Sequence, residues 1–543
     1  MFIPDCPHYL SVLQEATSRL WDRIALSTIG VEEITFGQMA TKMEGFHLFF
    51  RRLGLGRDAH IALCGRNGAR WGMSFLTVET YGAVIVPILA DFTPDSIAFL
   101  TDHSDSVGLF TSKDKWPKLD ITRMPKIRFV ILIDDWSLVY AADEEVSEAY
   151  DAIGQMFDEK YPQGYGPDDV AFVSDNMDEL AAINYTSGST GDPKGVMLTY
   201  RNFSAVIEVC SGLIPGDEKD TMVSMLPMAH MYGLTIEFLY PISRGIGIYW
   251  MGKSPTPSVL LSAFQQVKPY LLITVPLVLE KVYKSKVKPI LEKPAMKFAL
   301  SVPGLREVVY GIIRKRLENS FGGKVQQFIA GGAAFNPDIE AFFKRIKFPF
   351  LVGYGMTEGC PLIAYASPGT HRAGSCGRAI ASCRVRIDSE DPQKAVGEIQ
   401  VVGDNICRGY YKNPEATAAA FTSDGWLRTG DLGIVDSDGN IFIKGRSKSM
   451  ILGPSGQNIY PEEIEAVVNS CEHVVESVVV DRAGKIVALV YLEEVADAEA
   501  VPDVIKVTSN KRLPGYSKIA SVEVVDKPFE KTPKMSIKRF LYS

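Results

Sequence analysis

The side chains best equipped for chemistry lie in ten consecutive positions, TSGSTGDPKG (186–195). Thr186, Ser187, Ser189 and Thr190 offer hydroxyls, Gly188 and Gly191 leave their backbone N–H groups unshielded, and Lys194 adds a cation. Unhindered N–H donors beside a cation complement phosphate oxygens, so the loop has what is needed to hold a polyphosphate. It is not the common phosphate loop, because no Gly-Lys-Ser/Thr follows the required four-residue gap. The competing reading is an ordinary polar turn, which is all that most Gly/Ser-rich loops are.

The elements on either side must position that loop. An apolar run at 180–185 reads as a buried strand and 196–199 as a second. A helix then begins with Asn202 as its N-cap, since Phe203, Val206, Ile207 and Cys210 fall at i, i+3, i+4 and i+7. Upstream, Met39, Met43, Phe46, Phe50 and Leu53 mark one face of a helix over 36–53, followed by a strand at 61–64, a helix at 70–81 and a strand at 83–89. Further strands are predicted at 222–226, 271–275 and 325–330, with helices between them. This alternation is that of βαβ units, hence an α/β fold with parallel sheets. The acidic segment 135–178 is expected to cross the surface between two sheets. From Gly397 the chain turns strand-rich, with Asp438-Gly439 as a hairpin turn. Beyond Arg446 a small α+β unit is expected, its helix opening at Pro461 with Glu462 and Glu463 in the first turn.

A chain of 543 residues is too long for one core and implies about three compact units. Apolar and charged fractions of 46% and 22% are ordinary for a globular protein, and a net charge of −8 argues against a general nucleic-acid binder. Eight scattered cysteines with no Cys-x-x-Cys pair suit reduced thiols, not a disulfide frame or zinc site. The N-terminus lacks a secretory pattern, and no apolar run is long enough to span a bilayer. A cytoplasmic protein is the expectation. Residues 281–324 carry eleven basic side chains against three acidic ones. Solvated helix faces would account for them; so would peripheral contact with an anionic membrane.

The string TSGSTGDPKG closely resembles the phosphate loop of the adenylate-forming, AMP-binding superfamily, which includes the acyl-CoA synthetases. Five further segments resemble that family's motifs, in its order. They are MAHMYGL (228–234), AGGAAF (330–335), GYGMTEG (353–359), RTGDLG (428–433) and GRSKSMILGPSGQNIYPEEIE (445–465). The resemblance implies that the 186–195 loop binds the phosphates of ATP and that His230 gates or lines the carboxylate site. It places adenine against a wall containing Gly332 and Ala333, packed on Tyr354. It puts Thr357 on the α-phosphate, Glu358 and Thr186 at Mg²⁺, and Asp431 on the ribose hydroxyls. Arg446 becomes a second ribose or phosphate contact, Lys448 a hinge, and Gly456 part of a glycine-rich surface passed by the pantetheine of coenzyme A. Locally, that last loop reads equally well as a turn before a helix. The implied architecture is a large N-terminal region of two α/β sheets plus a β-barrel (1–447), with a small mobile α+β domain (448–543).

One motif departs from the family. In EKTPKMSIKRF (530–540) the position of the family's adenylation lysine is Ser536, which puts the first half-reaction in doubt. Lys534 and Lys538 are candidate substitutes, since residues two apart in an extended segment share a face. The resemblance implies ATP-dependent activation of a fatty acid to acyl-AMP and its transfer to coenzyme A. The pattern is most like bacterial long-chain fatty-acid CoA ligases. Transfer to a carrier protein, or acyl and nucleotide binding without catalysis, are the rival readings. Oligomeric state is left open.

Overall fold

The structure is a computed structural model. It describes all residues but 1, 187–192, 215, 254–255, 275–278, 281, 332–335, 367–368, 453–457, 483, 494–499, 532–536 and 543, and the side chains of 257 and 285. Among the described residues two large sheets dominate. One has seven strands in the order Leu138–Ala141, Phe129–Leu132, Ser106–Thr111, His60–Cys64, Val84–Ile88, Leu180–Thr186, Lys194–Thr199. The other has nine, from Arg378–Ala379 through Leu362–Tyr365, Phe350–Gly355, Gln327–Ala330, Leu271–Thr274, Thr221–Ser224, Gly247–Met251 and Ile24–Ile29 to Glu32–Thr35. Both are parallel inside and antiparallel at their edges.

The strands are apolar on both faces because both faces are covered. Ile61 and Leu63 enter a core shared by the two sheets, whereas Ala62 and Cys64 face an outer one. Leu271 and Ile273 likewise enter the shared core, and Leu272 a second outer core. Helices Phe36–Arg52, Ala69–Tyr81 and Tyr200–Leu213 fill the shared core with Met43, Phe46, Phe75 and Phe203.

Three expectations change. Helix Tyr200–Leu213 is capped by Thr199, not Asn202. The Thr199 hydroxyl accepts from Asn202 N, the Asn202 side chain accepts from Thr199 N, and its amide also donates to Asp404 O and Ile406 O at 2.8 and 2.9 Å. The helix opens one turn earlier because this reciprocal box satisfies two N-terminal donors. Segment 135–178 joins opposite flanks of one sheet, not two sheets. It contributes edge strand Leu138–Ala141 and helices Glu144–Asp151 and Ile153–Lys160. The β-barrel is an open antiparallel sheet of four strands, Cys383–Asp388, Gly397–Gly403, Leu427–Val435 and Ile441–Arg446. Four strands are too few to close around a filled interior.

Beyond residue 450 a three-stranded sheet, Val474–Arg482, Lys485–Leu492 and Ser521–Val524, packs with helices Pro461–Val468 and Val501–Asn510 around Ile464, Val468, Val479 and Ile505. Arg539 donates to both oxygens of buried Glu465 at 2.6 and 2.7 Å, pinning the C-terminal turn to this unit. All eight cysteines are free. Among the described residues no helix is long and apolar enough to cross a membrane.

Candidate active site

Strands Leu180–Thr186 and Lys194–Thr199 form a hairpin whose last register pair is Thr186 with Lys194, so the intervening loop leaves from its tip. Ser187, Gly188, Ser189, Thr190 and Gly191 lie outside the described residues. The Lys194 ammonium stands 5.1 Å from the centre of the Tyr410 ring, whose hydroxyl donates to Glu358 Oε1 at 2.8 Å. Tyr410 reaches this position because residues 408–411 pair along the outer side of the hairpin. Met197 N donates to Gly409 O, Arg408 N to Met197 O and Tyr411 N to Gly195 O.

Glu358 and Thr357 are buried in the turn Thr357–Gly359, just past strand Phe350–Gly355. The turn is tight because a Cβ on Gly355 would stand 1.8 Å from Pro361 O. Fully buried Asn405 holds it by donating to Gly359 O and Leu362 O at 3.0 and 2.7 Å, and Cys407 N donates to Glu358 O at 2.9 Å. The second oxygen of Glu358 makes no hydrogen bond among the described residues. No cluster of three or more His, Cys, Asp or Glu side chains suited to a metal occurs among those residues. A magnesium ion here would therefore rest on Glu358, with phosphate oxygens and water completing its shell. That donor set suits a hard cation that keeps most of its water.

A second group sits where the nine-stranded and four-stranded sheets meet. Asp431 and Arg446 are register partners, with Arg446 Nε 2.8 Å from Asp431 Oδ1. Tyr354 is buried, and its hydroxyl donates to Asp431 Oδ2 at 2.7 Å. Burial pushes the Asp431 carboxyl above the usual carboxylate range against the pull of Arg446 and Tyr354; Glu462 and Glu358 push the same way as burial. Asp431 and Glu358 thus share one electrostatic neighbourhood. Each Asp431 oxygen keeps a further lone-pair site for a diol.

The turn bearing His230 is held by two asparagines that lie outside every motif string. Asn67 accepts from Met228 N at 3.0 Å and donates to Leu226 O at 2.7 Å; Asn184, within the hairpin, donates to Ala229 O at 2.9 Å. Tyr232 packs on Gly331, where a Cβ would stand 3.1 Å from its ring. Gly332 and Ala333, the next residues of that wall, lie outside the described residues, as do Gly456 and Ser536. Lys448 lies on an exposed turn beyond Arg446. A cleft of about 570 Å³, lined by Ile3, Val209, Leu213, Tyr365 and Arg378 among others, contains none of these residues.

Fully buried Glu237 braces the start of the same turn, accepting from Ser224 Oγ, Met225 N and Leu226 N at 2.9–3.0 Å. Burial outweighs these bonds and pushes its carboxyl up to about 8. Between the unfolded carboxylate value and pH 8 the folded chain holds a proton that the unfolded chain lacks. Stability should therefore fall as pH rises across that window, by at most about 1.4 kcal/mol per pH unit. Denaturation midpoints measured from pH 5 to 8 should show this decline, and Glu237→Gln should flatten it.

The AMP-binding enzyme family matches residues 13–411. Long-chain-fatty-acid–CoA ligase 4 of Saccharomyces cerevisiae is 30% identical over 440 residues, covering 75% of this chain and 63% of that protein. Long-chain-fatty-acid–CoA ligase 5 of Rattus norvegicus is 28% identical over 469 residues, covering 80% and 67%. The chain thus spans less than two thirds of the yeast relative. Both relatives are eukaryotic, where the sequence pattern had suggested bacterial ligases. An O-succinylbenzoate coenzyme A synthetase from Bacillus subtilis, solved with ATP and magnesium ion, has the same fold, with a TM-score of 0.75 at 21% identity over 97% of this chain and 98% of that one. The sequence match, joined by the motifs at the ends of these strands, shows that the chain belongs to the AMP-binding enzyme family.

Proposed function

We propose that the chain is an acyl-CoA ligase that activates a long-chain fatty acid with ATP. A carboxylate oxygen of the acid attacks the α-phosphorus of ATP, the bond to the β-phosphate breaks, and acyl-AMP and pyrophosphate form. The thiol sulfur of coenzyme A then attacks the acyl carbon, AMP leaves, and the thiol proton passes to solvent. The observation that carries this reading is the array Lys194–Tyr410–Glu358 beside Tyr354–Asp431–Arg446. It offers a cation and a carboxylate to a polyphosphate, and a buried carboxylate to a diol, in one neighbourhood. Asp431 and Arg446 would orient the ribose, Lys194 and the hairpin loop the phosphates, and Thr357 the α-phosphate. The turn of His230, fixed by Asn67 and Asn184, would border the acid. Magnesium held at Glu358 would offset phosphate charge as one anion approaches another. Fixing the reactants together removes much of the remaining entropic barrier.

The unit from Lys448 onward would reorient between the two steps. Lys448→Pro should then spare acyl-AMP formation relative to its own background while thioester formation drops, because proline fixes its own φ and restricts Ser447. Loss of both steps together would indicate misfolding instead.

Pyrophosphate release tests the reading: it should require a fatty acid and ATP, and should not occur with coenzyme A alone. Across acids of increasing length kcat/KM should climb, each buried methylene adding roughly 0.8 kcal/mol until the pocket ends. A preference for acetate or an aromatic acid would contradict the assignment.

A further inference from the structure

The shared core leaves one region of the surface unaccounted for. Among the described residues fifteen large apolar side chains are conspicuously exposed, and five of them fall between 298 and 312: Phe298 at 70%, Val302 at 37%, Leu305 at 44%, Val308 at 57% and Ile312 at 61%. Scattered single exposures are normal; a concentration of this kind on one surface is not. These residues belong to helices Pro294–Ser301 and Leu305–Ser320 and the turn joining them. On the longer helix Val309, Tyr310, Ile313 and Leu317 enter the core, so that element is already anchored. Leu305, Val308 and Ile312, at i, i+3 and i+7, form a second apolar stripe facing away from it.

Cations frame the stripe. Lys293 and Lys297 accompany Phe298, and Lys315 and Arg316 follow one turn beyond Ile312. None of the four forms an ion pair among the described residues, whereas Arg306 and Arg314 pair with Glu307 and Glu318 of the same helix. In a chain of net charge −8 such a cationic patch is local, not a consequence of overall composition. An apolar stripe edged by lysine and arginine, on a helix lying along the surface, is the pattern of an interfacial element. Its apolar side chains enter the acyl boundary while the cations meet anionic headgroups.

We propose that the face of helices Pro294–Ser301 and Leu305–Ser320 docks on the surface of an anionic phospholipid bilayer, with Phe298, Val308 and Ile312 inserted and Lys293, Lys297, Lys315 and Arg316 on the headgroups. The docking is independent of the ligase reading and is testable without ATP, acid or coenzyme A.

Co-sedimentation of the full chain with vesicles is the test. Binding to phosphatidylcholine vesicles containing phosphatidylserine should exceed binding to phosphatidylcholine alone, and should weaken with salt, which screens exposed charges within about a nanometre at ~0.1 M. Replacing Phe298 and Ile312 together by serine should lower partitioning by about tenfold or more. Lys297→Gln with Lys315→Gln and Arg316→Gln should flatten the salt dependence. The substituted positions are exposed, so the unfolding transition should stay in place. Phe298→Trp, which keeps the apolar bulk, should bind as before and shift its emission to the blue on the serine-containing vesicles. No binding to those vesicles at low salt would overturn the proposal, as would binding indifferent to all of these substitutions. So would a dimer that the Phe298 and Ile312 substitutions dissociate in the absence of lipid, because a second copy would then be what covers the face.

Discussion

Ser536→Lys is expected to raise the rate of acyl-AMP formation by about 10²- to 10³-fold, the usual consequence of restoring one positioned donor at a site of developing charge. A serine hydroxyl is short and neutral, so it cannot place a cation between the acid's carboxylate and the α-phosphate. Two lysines flanking this position are already engaged, and Lys534 lies outside the described residues. Lys538 is held by Glu530, with its backbone N–H on Glu530 O at 2.8 Å and its ammonium 3.4 Å from the Glu530 carboxylate. Lys531 sits 2.6 Å from Glu476. A partly exposed pair is broken for at most about 1 kcal/mol, so these contacts handicap Lys538 and Lys531 modestly. Pyrophosphate release under single-turnover conditions reads the effect, while conversion of supplied acyl-AMP to thioester should change little. Should Ser536→Lys gain nothing, Lys534→Ala and Lys538→Ala in the serine background will show which lysine already serves.

Glu358→Gln should lower acyl-AMP formation by about 10²- to 10³-fold. The substitution keeps the shape of the side chain and an oxygen able to accept from Tyr410 Oη, so the turn clamped by Asn405 should survive. What is lost is the charge. The magnesium dependence of pyrophosphate release should shift to higher concentration in the variant. Tyr410→Phe removes only the hydroxyl on Glu358 and leaves the ring under Lys194. Its expected effect is smaller, about tenfold, the size of one net hydrogen bond to a charged group. Equal losses in the two variants would mean that Tyr410, not the carboxylate charge, is what the site needs.

The elements were legible in the sequence wherever burial leaves a pattern. Helix Phe36–Arg52 follows from spacing, because burial on one face imposes it, and strands His60–Cys64 and Val84–Ile88 follow from unbroken apolar runs, because both their faces are covered. The start of helix Tyr200–Leu213 was misplaced: Asn202 is a good cap by type, and the pairing that makes Thr199 the cap depends on the backbone. Asp438-Gly439 is the turn between strands Leu427–Val435 and Ile441–Arg446, with Gly439 at φ +84°. Closure of the four-stranded sheet could not be read from alternation, which is the same in an open sheet and a barrel.

The candidate site was legible where residues sit in contiguous strings and not where one holds another across the chain. Tyr410 lies 52 residues from Glu358, Asn184 lies 45 from Ala229, and Asn67 lies 161 from Met228. Each is a common residue type in an unremarkable local setting, so only folding reveals its partner. Nothing local in the string GYY at 409–411 says that it lines the hairpin. Composition marked 281–324 as basic, yet the outward apolar stripe within it has the same spacing as the inward one, and periodicity cannot say which face is covered.

Conversion of supplied acyl-AMP is the most direct measurement, because it bypasses the position occupied by Ser536. The full chain, given long-chain acyl-AMP and coenzyme A, should form acyl-CoA and AMP in equal amounts, with no requirement for ATP. Acyl-AMP left unconsumed, or consumed only when a carrier-protein thiol replaces coenzyme A, would contradict the assignment as an acyl-CoA ligase.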